Sequence, residues 1–475
     1  MSELDCSDLR RRRVSLVVCA LLLFACVLFG GYGSAFAASS AGRWTFSRMR
    51  PVSSPVAVGG RFVVYVASRQ RLMIVGLDAR SGKPAWMFPA TPSASTPGVG
   101  PSVLAIGNRV IFMETAAGVS ARLVAVDAVS GRLLWASRAA VFSDWPEPCV
   151  GDPRGACDIG FLVSVLPFPA ARLLRFGVTD GRATVGSALP GSLASARGLA
   201  SGLYDPGLRH PEYLVSASAT RVLWTRRLAD IFDLAGASTD NSWDIDRIDR
   251  DGLFVGSVGA PAQTTRSGLS VYDVSAAETV GFRMADGSVV WSNAGSQYGC
   301  DLLPCPGWLS QGGLRVGVRL RETGTLTFRG GGGNGIVAPG DDVTIEGFDP
   351  ATGNTLWTFD AGDDAGLIAA TEVPPQTRAT VVVLPNAKVI PNLVDLISGH
   401  AMPATGPVEA WCEPLTTTYD LGSLGQYTAA AASFACDAEG HRIRTPGRIP
   451  SFVGPSIRGV TAWSDVNQVV AAPSG

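Results

Sequence analysis

Three stretches of this chain repeat one another. Arg71 to Phe88 reads RLMIVGLDARSGKPAWMF, Ala121 to Ala136 reads ARLVAVDAVSGRLLWA, and Val343 to Phe359 reads VTIEGFDPATGNTLWTF. All three share Asp-x-x-Ser/Thr-Gly-x-x-x-Trp, carried by Asp78, Ser81, Gly82 and Trp86, by Asp127, Ser130, Gly131 and Trp135, and by Asp349, Thr352, Gly353 and Trp357. A repeat of this size constrains architecture before any local reading, because each copy is one supersecondary unit that buries its apolar face only against its neighbours. The unit itself is legible. An apolar alternating run such as Leu72 to Leu77 predicts a strand. Asp followed by Ser-Gly is turn chemistry: the carboxylate accepts nearby backbone donors and Gly supplies positive φ. A second strand follows, with Trp at a fixed place on one face.

Weaker copies extend the pattern. Asp286-Gly287-x-x-x-Trp291 keeps the Gly-to-Trp spacing, and Asp395, Ser398 and Gly399 keep the turn but have Pro403 at the Trp position. Asp180-Gly181 and Thr220-x-x-x-Trp224 are fainter, and Glu439-Gly440 is the faintest. Upstream of the first copy, Pro55 to Val58 and Phe62 to Ala67 predict two more strands around Gly59-Gly60. Four strands in about forty to fifty residues is the size of a propeller blade. The turn positions at 82, 131, 181, 220, 287, 353, 399 and 440 predict eight blades, with seven as the alternative count. The two longest intervals, before Gly287 and before Gly353, require insertions, for which Ser238 to Arg250 and the Gly330 to Gly335 run are the candidates. Arg43-Trp44-Thr45-Phe46 reads as the last strand of a blade and is expected to complete the blade containing the C-terminal strand around Val460 to Trp463, closing the ring.

Composition supports a large β core. Of 475 residues 46% are apolar and 17% charged, with 56 Gly and 31 Pro. That excludes a disordered chain, a coiled coil and long solvated helices. Basic residues number 39 against 40 acidic, so no net field steers the chain to nucleic acid. Residues 1–13 form a basic N-terminus expected in the cytoplasm, because Arg10 to Arg13 precede the uncharged run 14–38. That run predicts one apolar helix, either an uncleaved membrane anchor or a signal peptide cut after Ala35-Phe36-Ala37. On either reading residues 43–475 form a propeller outside the cytoplasm, membrane-anchored or secreted. Beyond the leader six cysteines remain, an even number that suggests disulfides in an oxidising compartment. Their locality predicts the pairs Cys149–Cys157, Cys300–Cys305 and Cys412–Cys436, pinning loops rather than holding blades together.

The repeat resembles that of the quinoprotein-like β-propellers, the group built on PQQ-dependent alcohol dehydrogenases. The resemblance implies that Trp86, Trp135, Trp224, Trp291 and Trp357 dock between blades against the neighbouring turn. Dehydrogenases of the group pair pyrroloquinoline quinone (PQQ) with Ca²⁺ held by carboxylate and amide oxygens, and many carry a vicinal cysteine pair, which this chain lacks. The nearest acidic cluster is Asp244, Asp246, Asp249 and Asp251, with the first pair expected on one strand face and the second on another. Calcium takes about six to eight oxygens, so this cluster reads as a solvated loop or edge strand. His210, His400 and His441 form no zinc-binding spacing, and no G-x-S-x-G elbow occurs. No catalytic, cofactor or metal residue is assigned. The expected function is a non-catalytic envelope interaction or scaffold module with an envelope protein as partner and no cofactor. The alternative is a small PQQ- and Ca²⁺-dependent sugar or alcohol dehydrogenase.

Overall fold

The computed structural model describes most of residues 43–474, leaving aside 1–42 and, among the longer internal segments, 91–101, 164–170, 191–196, 207–212, 300–308, 330–335, 373–379, 385–391, 404–408 and 437–453. Residues 43–475 form one compact unit. The basic N-terminus and the apolar run 14–38 lie outside the described residues. No described helix is long and apolar enough to cross a membrane.

The unit is all-β, a β-propeller of four-stranded antiparallel blades. Blade 1 runs through Val56–Val58 (with Arg50–Pro51), Arg61–Ser68, Arg71–Asp78 and Pro84–Ala90. Blade 2 comprises Leu104–Ile106, Arg109–Thr115, Ala121–Asp127 and Leu133–Ala136; blade 3 comprises Ala140–Phe142 with Glu147–Cys149, then Asp152–Leu162, Arg172–Gly177 and Ala183–Ala188. These two share one continuous sheet through the single pairing of Ala140 with Ala121. Blade 4 holds Arg197–Ala200, Leu203–Asp205, Tyr213–Ser218 and Arg221–Arg227. Blade 5 holds Ser238–Ile248, Leu253–Gly259, Glu278–Arg283 and Val289–Ala294. Blade 6 holds Gln297–Tyr298, Leu314–Glu322, Asp342–Phe348 and Thr355–Asp363. Blade 7 holds Gly366–Glu372, Thr380–Leu384, Asn392–Asp395 and Ala401–Pro403, with Glu409–Cys412 and Phe434–Cys436 added along its first strand.

Blade 8 is assembled from both ends of the described chain. Ser456–Ile457, Val460–Asp465 and Gln468–Pro473 supply three strands, and Trp44–Phe46 supplies the outer one, pairing Trp44 with Ala471 and Phe46 with Val469. Among the described residues eight blades are therefore traced. The eighth has no turn between its third and fourth strands, because those strands are not consecutive in sequence. The expectation that Gly440 marks such a turn is corrected accordingly; Glu439 and Gly440 themselves lie outside the described residues.

One of the two insertions is also placed differently. Ser238–Ile248 is the first strand of blade 5, not an insertion. Its polar sequence reflects a strand that alternates Asp244 and Asp246 with buried Ile245 and Ile248 at the end. The true insertions fall between the second and third strands of blades 5 and 6. They carry Gln263–Thr264 with Leu269–Asp273, and Thr325–Arg329 with Ile336–Val337. Leu269–Asp273 pairs with Thr325–Arg329 over five positions, so the insertions of two blades merge into one extra four-stranded sheet. The Gly330 to Gly335 run sits between the last two of these strands, outside the described residues.

Packing follows from the repeat. The Asp78 carboxylate accepts from Arg80 N, Ser81 N and Ser81 Oγ, while Gly82 N donates to Asp78 O at 2.8 Å. Gly82 sits at φ +65°, the left-handed region that favours glycine. Beside each tryptophan of blades 1, 2, 4, 5 and 6 the strand register slips by one residue. A bulge there re-aims the side chain out of its own blade. The residue paired with the tryptophan is always small: Gly76, Ala125, Ser216, Gly281 or Gly347. A Cβ on Gly76 would meet the Trp86 ring at 2.3 Å.

Candidate functional site at the seams and the junction of blades 5 and 6

Each docked indole donates its one N–H to the next blade's turn. Trp86 Nε1 donates to Ala128 O at 2.8 Å, Trp135 to Val178 O at 2.8 Å, Trp224 to Met284 O at 2.8 Å, Trp291 to Pro350 O at 2.9 Å and Trp357 to Ile397 O at 3.0 Å. Trp44, which the repeat pattern does not mark as a docking residue, donates to Ala79 O at 3.0 Å and joins blade 8 to blade 1. Each ring lies on the turn glycine it faces: a Cβ on Gly131 would meet the Trp86 ring at 2.6 Å, and one on Gly399 the Trp357 ring at 2.6 Å. Trp44, Trp86, Trp135, Trp224 and Trp291 are buried, and Trp357 is partly buried. These side chains are thus the mortar between blades. None of them is a free aromatic platform for a sugar or base.

The densest polar arrangement among the described residues crosses blade 6. Arg319, on the second strand, is fully buried. Its Nε donates to Glu346 Oε2 at 2.6 Å, Nη1 to Gly353 O at 3.1 Å and Nη2 to Thr355 Oγ1 at 2.7 Å, and its guanidinium stands 4.9 Å over the Phe348 ring. Arg321 donates to the other oxygen, Glu346 Oε1, at 2.6 Å, and to Asn293 Oδ1, Ala294 O and Gly295 O of blade 5. One buried carboxylate therefore holds two guanidiniums. Burial works to raise the Glu346 pKa, but the bonds from Arg319 and Arg321 outweigh it and hold the carboxyl below its ordinary value. Burial lowers the Arg319 pKa, opposed by Glu346.

A second, partly buried carboxylate lies on the first strands. Asp246 of blade 5 accepts from Tyr298 Oη of blade 6 at 2.8 Å. Tyr298 stands opposite Arg319 and Arg319 opposite Glu346, so these groups form one polar row across the blade. Burial pushes the Asp246 pKa up, only partly offset by the Tyr298 hydrogen bond. The other acids of the predicted cluster do not gather on it. Asp249 pairs with Arg247 at 2.7 Å, and Asp249 and Asp251 lie in the turn after the strand rather than on a strand face. Among the described residues no three His, Cys, Asp or Glu side chains converge as metal ligands. The oxygens around Asp246 do not fit a six- to eight-coordinate calcium, so no chemical step through a calcium-held quinone follows from this site. His400 is an exposed turn residue whose N–H donates to Ser398 Oγ; His210 and His441 lie outside the described residues.

Cys149 and Cys157 are joined as a disulfide, with Cα atoms 4.9 Å apart. Cys300 and Cys305 lie outside the described residues. Cys412 and Cys436 sit on adjacent antiparallel strands, Cys412 opposite Phe434 and Cys436 opposite Ala410, and the hairpin Thr416–Asp420 with Gln426–Ala430 lies between them in sequence.

Comparison with known proteins matches residues 32–189 to the family described as outer membrane protein assembly factor BamB. No curated protein matches the sequence. Among solved structures, BamB from Moraxella catarrhalis is 13% identical, covering 82% of this chain and 98% of its own, with a TM-score of 0.35. A quinohemoprotein alcohol dehydrogenase from Comamonas testosteroni is 9% identical, covering 85% of this chain and 77% of its own, at 0.37. A europium-containing methanol dehydrogenase is 10% identical, covering 79% and 84%, at 0.38. The repeat, its docked tryptophans and the match over residues 32–189 together support a β-propeller of the PQQ-repeat kind.

Proposed function

We propose that this protein is a non-catalytic propeller that works outside the cytoplasm as an interaction or scaffold module for other envelope proteins. The run 14–38 would export it and either anchor it in the membrane or be removed. The observation that carries the reading is the extra sheet. Two adjacent blades extend the same connection, and the extensions pair with each other over five positions. They add a surface shared by two blades rather than separate loops closing over a pocket. The matched family's description as an assembly factor supports an envelope protein as partner. The charges of blade 6 favour the same reading, because Arg319 and Glu346 are committed to each other within the blade and Arg321 to the contact with blade 5.

Site-specific photo-crosslinking in the producing cells tests this. A crosslinker at exposed Thr323, where the chain enters the extra sheet, is expected to give a discrete protein adduct. One at exposed Arg80, in a blade 1 turn, should give none. No adduct at Thr323, or the same ladder at both positions, would count against the proposal.

A further inference from the structure

The seam between blades 3 and 4 is built unlike its neighbours. Four residues after Gly181, where tryptophan would stand, is Val185, which is 44% exposed. Ile159, Leu173 and Leu189 pack with Val215 and Ala217 across the seam, and two polar contacts take the indole's place. Ser187 N donates to Thr220 O at 2.8 Å, with Gly186 so close to that turn that a Cβ would meet Thr220 O at 2.2 Å. The second contact comes from the hairpin between Glu147–Cys149 and Asp152–Leu162, whose tip is wedged into blade 4. Ser218 Oγ donates to Val150 O at 3.0 Å, the Cys157 sulfur lies 3.6 Å from Ala219 O, and the Val150 side chain fills the space beside Gly202. Ala219 is held at φ +47°, a left-handed conformation uncommon for alanine. The Cys149–Cys157 bond closes this same hairpin, and both cysteines are buried against blade 4 or within blade 3. The expectation that this bridge merely pins a loop is therefore corrected: it braces a hairpin that reaches the next blade.

We propose that the Cys149–Cys157 bond is the lock of the blade 3–4 seam, so that docking of these two blades is conditional on oxidation. The bond stands where other seams have an indole. Its formation needs a disulfide oxidant. One cysteine thiolate attacks a sulfur of that oxidant and gives a mixed disulfide. The second thiolate then attacks the protein sulfur and releases the oxidant as a dithiol, two electrons and two protons having passed from the cysteines. Because both cysteines are buried in the docked state, exchange belongs to the undocked seam, and the finished bond is shielded from reductant. In a reducing compartment the seam keeps its backbone contacts, the Ser218 and Ser187 hydrogen bonds and the apolar packing of Ile159, Leu173 and Leu189 against Val215 and Ala217 but loses its covalent brace, and the propeller completes itself where oxidant is available.

Hydrogen exchange on the full chain tests the lock. Three samples are compared: oxidised wild type, wild type refolded with dithiothreitol, and Cys149→Ser/Cys157→Ser. The last two are expected to exchange about tenfold faster over residues 213–225 of blade 4, while residues 278–291, docked by Trp224, keep their protection. Equal exchange at 213–225 in all three samples would overturn the proposal. A uniform rise across every blade would also overturn it, since that is a global stabiliser and not a seam lock. Free Cys149 and Cys157 thiols in the exported, correctly docked protein, detected by alkylation and peptide mapping, would overturn it outright.

Discussion

Trp86 illustrates how much one residue does in this molecule. Its ring covers Gly131, its N–H satisfies the Ala128 carbonyl, and its own blade leaves room for it only because Gly76 has no side chain. Trp86→Ala removes the packing and the hydrogen bond together and is expected to cost about 3 to 5 kcal/mol of unfolding free energy, measured by denaturant titration. A loss below about 1 kcal/mol would mean the seam does not depend on it. Asp246 offers a test of opposite sign. Folding raises its pKa, so its contribution is fullest below the unfolded carboxylate value of about 4 and is lost as pH rises through the folded value. Asp246→Asn keeps an acceptor for Tyr298 without the partly buried charge. Its urea midpoint should exceed that of wild type at pH 7, and the gap should shrink by pH 3. A variant less stable than wild type at both pH values would show that the ionised carboxylate is needed. The residue scale is also where sequence reading reaches least far. Trp44 escapes the Gly-x-x-x-Trp rule because its blade lacks the turn that would carry the glycine. Arg319 looks like a solvent-facing strand residue in LRVGVRLRE until Glu346 is seen opposite it.

At the scale of the element, the hairpin with its Asp-x-x-Ser/Thr-Gly turn was fully legible, since local chemistry alone builds it. The turn acids show this directly. Hydrogen bonds from Ser130 hold the Asp127 carboxyl below its ordinary value, and those from Ser288 do the same for Asp286. What sequence could not separate was a polar first strand from an insertion, because Ser238–Ile248 carries turn-like residues on a face that other strands then partner. The row from Tyr298 through Arg319 to Glu346 is likewise a product of register, which periodicity does not specify. It predicts a definite mutational pattern. Glu346→Gln strands two guanidiniums without a counter-charge and should destabilise by about 3 to 5 kcal/mol. Replacing the pair, Arg319→Met with Glu346→Leu, should cost clearly less, since Arg321 is partly exposed and can turn to water. Equal losses for the single and double variants, by chemical unfolding, would show that the pair carries no coupling.

For the whole molecule, repeat spacing was enough to anticipate the propeller and the joining of the N-terminal strand to the C-terminal blade, whereas the eighth blade is built without the turn that the spacing placed at Gly440. Ser464 Oγ reinforces that closure by donating to Ser53 O at 2.6 Å, across 411 residues of sequence. Function was less legible because a propeller is shared by proteins of different chemistry. The distinction rests on whether the scaffold gathers ligands or only surfaces. In this chain Arg319 and Glu346 hold blade 6 together, Arg321 ties it to blade 5, and the insertions of blades 5 and 6 build a sheet. The most direct measurement is a calorimetric titration of the purified propeller with PQQ and Ca²⁺, followed by a dye-reduction assay with glucose and ethanol. No binding heat and no dye reduction are expected. Tight, stoichiometric PQQ binding with substrate-dependent dye reduction would contradict the scaffold reading and make the protein a dehydrogenase.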